Sequence, residues 1–154
     1  MKIVISVKSA LTLARSIAAF RRLGKTPDDI SEFDALLDTD RDDITATAIR
    51  SAFAEVVLEL SARISDVHIP ADSDILSAEI TLDGGESGLS FTAIAKLLEQ
   101  TVATRALALL LAGSESGNAM LELSRLHAAA LDEGLERCAA RLGSFAPFVR
   151  SGFL

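Results

Sequence analysis

Apolar and polar side chains alternate in three short segments of the chain, at residues 2–7, 67–69 and 75–82. A period of two is typical of strands, because successive side chains point to opposite faces of a sheet. In the first segment the apolar side is formed by Ile3, Ile5 and Val7. We predict that the three segments form a small sheet of two to three strands.

Elsewhere the apolar residues recur at the three- and four-residue spacing of amphipathic helices. About five helices are predicted, over residues 10–23, 27–37, 44–65, 90–112 and 116–142. Ser9 and Ser90 are the expected caps of the first and fourth helices, and Gly24 and Gly113 follow their last turns. The expected fold class is α+β, mostly α. No repeat or linker divides the chain, so residues 1–154 form one expected domain.

Three of these helices carry more specific expectations. The second begins with Thr26-Pro27-Asp28-Asp29, a cap followed by proline and by acids at the positive end of the helix. The first is expected to bury the stripe Leu13, Ile17 and Phe20. The last is expected to bury Leu123, Leu126, Ala130, Leu131, Leu135, Cys138 and Leu142.

The composition excludes several classes of protein. The formal charge of −7 disfavours nucleic acid and anionic membranes as partners. Cys138 is the single cysteine, so no intramolecular disulfide can form. The apolar run 106–112 is far shorter than the roughly 20 residues of a membrane-spanning helix. The first residues lack the apolar core of a signal peptide, and a cytoplasmic location is expected.

Charge is distributed unevenly along the first third of the chain. Residues 1–25 contain six basic residues and no acid, whereas residues 28–43 contain eight acids and only Arg41 as a base. The two segments are expected to attract each other, within one subunit or between neighbouring subunits. Arg21 and Arg22 are candidate protein-interaction residues in the basic segment.

Asp38, Asp40 and Asp42 are the strongest metal candidates in the sequence, because their spacing matches the first three ligands of a calcium loop. The match ends there. Asp43 stands where such a loop needs glycine, and Ile49 stands where it needs a bidentate carboxylate. The favoured interpretation is a solvated loop in which Asp42 or Asp43 caps the next helix, with no metal bound.

No set of residues forms a convincing catalytic constellation, and no cofactor is expected. His68 and His127 are far apart in sequence and lack neighbours at metal-ligand spacing. An enzyme centred on His68 would need nearby acids to converge with it in one cleft. Glu55 and Glu59 stand one turn apart, a spacing that ordinarily marks a solvated helix face. Cys138 is expected to pack in the core as a small apolar residue.

The glycine-rich segment Gly84–Gly88 lies between a predicted strand and a helix. It matches neither a P-loop nor a dinucleotide-binding motif, so a flexible connection is the favoured interpretation. The alternative is a small-ligand pocket between the sheet and the following helix, with this segment as its rim.

The tail holds Phe145, Phe148 and Phe153 around Pro147. We expect residues 144–154 to be too short and too proline-broken for a regular element. They either dock onto their own domain or form an arm that inserts into a neighbouring subunit.

The order of elements resembles that of a group of small uncharacterised proteins from the structural-gene cassettes of gut-bacterial prophages. The matching features are "DTDRDD" before "ITATAIRSAFAEVVLELSARI", the strand "AEITL" before "LSFTAIAKLLEQTVATRALALLLAG", and the closing "RCAARLGSFAP". The resemblance implies a role in the virion neck or tail, with other virion proteins as further partners and no catalytic residues to transfer. The predicted function is therefore that of a non-enzymatic, homo-oligomeric structural or assembly protein.

Overall fold

The structure, a computed structural model, describes residues 1–24, 30–81 and 88–151. The fold is α+β and mostly α, which confirms the predicted class. In chain order the elements are β1 (Lys2–Ser6), α1 (Val7–Arg22), α2 (Ile30–Leu37), α3 (Asp42–Glu59), β2 (Ile64–His68), β3 (Ile75–Ile80), α4 (Gly88–Leu110) and α5 (Glu115–Ser151). Single 3₁₀ turns at Thr39–Arg41 and Ser61–Arg63 precede α3 and β2.

The strands form an antiparallel sheet in the order β1-β3-β2. Ile3 lies opposite Ala78, and Ile5 lies opposite Leu76. All four side chains are buried, because this face of the sheet packs against the helices. Val4, which points to the other face, is exposed. The alternating pattern therefore predicted β1, β3 and their buried face correctly. The third predicted segment, residues 67–69, overlaps only the end of β2, and Val67 and Ile69 are both exposed.

The predicted helix over residues 44–65 is wrong at its carboxyl end. Helix α3 ends at Glu59, and Ile64 already pairs with Ile80 of β3. The register shifts between Ile64 and Asp66, so the strand enters the sheet through an irregularity. An apolar residue at position 64 fits both a helical and a strand pattern, and pairing with β3 decides between them.

Helix α4 lies at the centre of the helical layer. Residues 101–108 are all buried, and α1, α3, α5 and β1 pack against this helix. Thr101 and Thr104 satisfy their hydroxyl groups locally, by donating to carbonyl oxygens of the preceding turn. Arg105 is buried among them, and its guanidinium needs partners from other elements.

The buried face of α1 consists of small side chains, contrary to the prediction. Val7, Ala10, Ala14 and Ala18 are buried, whereas Phe20 is 78% exposed. The other two members of the predicted stripe, Leu13 and Ile17, are half-buried at its edge. Alanines four residues apart form a flat surface that faces α4, and such a surface is invisible to a search for large apolar residues.

Several predicted helix ends differ from the observed ones. Ser6, rather than Ser9, caps α1, and Gly24 does not adopt the left-handed conformation. Helix α4 begins at Gly88, so Ser90 lies inside it. Gly113 does follow α4 in the left-handed conformation, with φ of 88°. The predicted start of the second helix, residues 26–29, lies outside the described residues.

Helix α5 is longer than predicted. Its backbone continues beyond residue 142 to Ser151, so the tail segment up to that residue is helical and the expectation of an irregular tail is wrong there. Proline inside a helix ordinarily kinks or ends it, because it lacks the N–H and its ring crowds the carbonyl four residues earlier, and this is the basis of the overturned expectation. Leu126, predicted to be buried, is 68% exposed, and Ala130 is also exposed.

Candidate functional site

The first turn of α1 is capped by the connection between β2 and β3. The Val7 N–H donates to the carbonyl oxygen of Asp74 at 2.7 Å, and the Lys8 N–H donates to its carboxylate at 2.8 Å. The Ser9 N–H donates to Ser6 Oγ, and the Ser6 hydroxyl in turn donates to Asp74 Oδ2 at 2.6 Å. Three N–H groups without intrahelical partners are thereby satisfied, and a negative charge stands at the positive end of the helix.

A groove of about 620 Å³ opens beside this cap, between α1, α3 and the β2–β3 connection. Its floor is apolar, and its rim carries both signs of charge: Lys8, Asp42, Asp43, Arg50, Asp72 and Asp74. Arg50 reaches across and donates to the carbonyl oxygens of Pro70 and Ser73, at 3.3 and 3.1 Å. The charges that meet here fasten the connection to both helices.

We expect Asp74→Ala to lower the free energy of unfolding by about 1–2 kcal/mol, as loss of a helix cap does. Urea denaturation at neutral pH measures the change. Asp72→Ala is the matched control, because Asp72 is exposed and lies two residues earlier. The control should change stability by less than about 0.5 kcal/mol.

The effect of Asp74→Ala should depend on pH. Hydrogen bonds from Ser6 and Lys8 hold the pKa of Asp74 below its ordinary value of 3.8. The charge of Asp74 therefore stabilises the fold fully above that ordinary value, and its contribution is lost as the pH falls through the lowered pKa. The stability difference between wild type and variant should shrink in strong acid. A difference that stays constant would contradict this account.

A second cluster surrounds the buried Arg105 at the centre of the molecule. Its guanidinium donates to Glu59 at 2.7 and 3.2 Å, to Glu55 at 3.3 Å and to Ser124 Oγ at 2.9 Å. These hydrogen bonds join α4 to α3 and α5. The hydrogen bond to Glu59 raises the pKa of Arg105 against the opposing effect of burial, so the guanidinium remains charged. Glu55 and Glu59 are exposed, as expected of a solvated helix face, but both also bind a buried arginine, which their spacing does not indicate.

Glu99 of α4 is a buried carboxylate, unlike Glu55 and Glu59. It accepts hydrogen bonds from the Ser9 hydroxyl and from Lys96 Nζ, the latter at 3.0 Å. A groove of about 330 Å³ between α1 and α4 is lined by these residues, together with Thr12, Leu13 and Ser16. Like the Arg105 cluster, this arrangement ties two helices together through a charge held at their contact.

Two of the three metal candidates, Asp38 and Asp42, have structural roles of their own. Asp38 accepts from the Asp40 N–H at 3.0 Å and caps the 3₁₀ turn. Asp42 forms an ion pair with Arg15 of α1. Within the described ranges, no group of three or more His, Cys, Asp or Glu residues could hold a metal ion. Asp42 and Asp43 lie in the first turn of α3, whose cap position is Arg41, so neither is the predicted cap.

The two histidines and the cysteine lie in unrelated environments. His68 is exposed on the edge strand β2, and His127 is half-buried on α5. The buried Nδ1 atom of His127 has no hydrogen-bond partner among the described residues. Cys138 packs against the core, as predicted.

Some of the attraction between the basic and acidic segments takes place within one molecule. Arg15 pairs with Asp42, and Arg22 pairs with Asp34 of α2 at 2.9 Å. These pairs fasten α1 to the chain that follows it. For these four residues, the contact between the basic and the acidic segment lies within one subunit.

The end of α1 exposes two large apolar side chains in one helical turn. Phe20 is 78% exposed, and Leu23, directly after the helix, is 85% exposed. Arg21 and Arg22 stand between them and are exposed as well. Arg21 makes no ion pair with any described residue. We call residues 20–23 the basic apolar turn.

Two predicted sites, the glycine-rich segment and the phenylalanine tail, lie partly outside the described residues. Residues 84–87 of the glycine-rich segment lie outside the described residues, and Gly88 begins α4. Phe145 and Phe148 belong to α5, and the structure describes only their backbone. Phe153 lies outside the described residues.

Comparison of the chain with protein families, with curated proteins and with solved structures finds no match. None of the described helices combines the length and the hydropathy that a membrane span requires.

Proposed function

We propose that the protein is a non-enzymatic structural or assembly protein that functions as a homo-oligomer. The basic apolar turn is the observation that carries this proposal. Phe20 and Leu23 present two large apolar side chains to solvent beside two arginines. Apolar and arginine side chains exposed together are typical of surfaces that are covered in an assembly.

The arrangement of charge supports a structural role. Asp74 caps a helix, and Arg105 and Glu99 join helices to each other. The groove beside Asp74 is crossed by Arg50, which fastens the connection that lines it. We therefore assign these groups to the rigidity of the fold. A rigid helical body is what a subunit of a ring or tube requires.

The resemblance in element order suggests a setting for such an oligomer. It supports a component of the neck or tail of a prophage virion, with other virion proteins as further partners and assembly starting in the cytoplasm. The net charge of −7 supports contacts with protein, rather than with nucleic acid or an anionic membrane.

The proposed function is tested by the mass in solution, measured by light scattering over a wide range of concentration. We expect an oligomer whose mass falls on dilution. Deletion of residues 144–154, which removes Phe145, Phe148 and Phe153, is expected to weaken assembly at least tenfold if the tail acts as an arm between subunits. A wild-type protein that remains monomeric throughout would overturn the proposed homo-oligomer.

The matched control for the deletion replaces the three phenylalanines by leucine. This variant keeps the length of the chain and the apolar character of the tail. It should assemble like the wild type. Full assembly of the deletion variant would refute the arm and leave the basic apolar turn as the proposed contact.

A further inference from the structure

The carboxyl-terminal end of α3 offers a counterpart to the basic apolar turn. Leu58 is 73% exposed and lies near Glu55 and Glu59, whose side chains are each 46% exposed. Both carboxylates bind Arg105, so two negative charges share one buried positive charge. A net negative charge therefore remains beside an exposed leucine. We call these three residues the acidic apolar patch.

The two surfaces are complementary in charge, and both expose apolar side chains that docking would cover. The turn presents Phe20 and Leu23 with arginines between them in sequence, and the patch presents Leu58 beside two glutamates on the side that faces Arg105. Guanidinium groups form strong, directional hydrogen bonds with carboxylates, and Arg21 makes no ion pair within the described part of its own chain. The carboxylates of Glu55 and Glu59 are half-exposed, so they can accept further hydrogen bonds.

The turn and the patch lie on different elements. The turn ends α1, and the patch lies near the carboxyl end of α3, where Glu55 and Glu59 bind Arg105 of α4. Phe20, Leu23 and Leu58 are each more than two-thirds exposed, so the turn and the patch of one molecule do not cover each other.

We propose that the basic apolar turn of one copy docks onto the acidic apolar patch of a second copy. Such a contact joins two different surfaces, so it is head-to-tail and leaves one free turn and one free patch on every dimer. Repetition gives a closed ring or an open filament, depending on the rotation between neighbouring copies. This inference rests on the proposed self-association and names the surfaces that produce it.

A mixing experiment tests the pairing directly. The head variant carries Phe20→Ser and Leu23→Ser, and the tail variant carries Leu58→Ser. All three positions are exposed, so both variants should melt like the wild type by circular dichroism. Each variant alone should self-associate at least tenfold more weakly than the wild type. An equimolar mixture should stop at a dimer, because only one intact turn and one intact patch can meet.

Leu126→Ser is the matched control, since it removes another exposed leucine that belongs to neither surface. It should assemble like the wild type. The contribution of charge to the contact is tested by varying the salt concentration. The Debye length falls from about 10 Å at 0.1 M salt to about 3 Å at 1 M, so added salt should weaken association of the wild type. Arg21→Glu should weaken association and reduce this dependence on salt.

The outcomes separate this inference from the proposed function. A wild-type oligomer that both variants leave intact, or that Leu126→Ser alone dissociates, would overturn the pairing while self-association stands. A mixture that remains monomeric would overturn the head-to-tail arrangement. A monomeric wild type would overturn both the pairing and the proposed homo-oligomer.

Discussion

Arg105→Ala is expected to lower the free energy of unfolding by about 3 kcal/mol. The guanidinium makes four hydrogen bonds at the contact of three helices, and the residue is 4% exposed. Its loss leaves the buried Ser124 without the guanidinium donor and opens a cavity in the most buried part of α4. This loss of stability lies at the lower end of the range for removing one partner of a buried ion pair, because water can still hydrate Glu55 and Glu59 in the variant.

The two glutamates should differ in the same experiment. Glu59 accepts two of the hydrogen bonds from Arg105, and Glu55 accepts one. Glu59→Gln should therefore destabilise the fold more than Glu55→Gln. Both measurements can be made by urea denaturation, with an unchanged dependence on urea as the sign that the unfolding reaction is the same.

Arg125→Ala is the matched control for Arg105→Ala. Arg125 pairs with Glu122 at 2.6 Å, but both side chains are largely exposed. An exposed pair of this kind contributes less than about 1 kcal/mol. Equal effects of the two substitutions would show that burial does not set the contribution of Arg105, contrary to our account.

The features predicted correctly from the sequence are those with a local cause. The sheet follows from alternation in short segments, and the end of α4 follows from the glycine that occupies a left-handed position. The buried face of α1 was missed because it is made of alanine. The period of large apolar residues pointed to Leu13, Ile17 and Phe20, which lie at or beyond the edge of that face.

The candidate site was harder to predict because its partners are far apart in sequence. Glu59 and Arg105 are 46 positions apart, and Lys8 and Asp74 are 66 positions apart. A pair of glutamates one turn apart gives no indication of a buried arginine on another helix. A single arginine directly before the apolar run 106–112 was the available signal, since a buried charge requires a partner.

The turn between α4 and α5 supplies the second large effect. Its geometry depends on Ser114, which accepts a hydrogen bond from the Gly117 N–H at 3.0 Å and donates one to the Leu111 carbonyl at 2.7 Å. A Cβ atom on Gly117 would lie 2.1 Å from that same carbonyl oxygen. The first turn of α5 is therefore in direct contact, at this glycine, with the backbone of Leu111, the residue directly after α4.

We expect Gly117→Ala to destabilise the fold by about 2–3 kcal/mol, because the clash is with backbone and can be relieved only by moving one helix against the other. Gly113→Ala should cost about 1 kcal/mol, through the strain of a left-handed alanine with open space around it. Gly134→Ala is the matched control. It lies inside α5 with no atom near its added Cβ, so it should stabilise the protein by about 0.5–1 kcal/mol. Denaturation midpoints in this order would establish that close approach, rather than loss of glycine as such, sets the packing of α4 against α5. A Gly117→Ala variant as stable as the wild type would refute it.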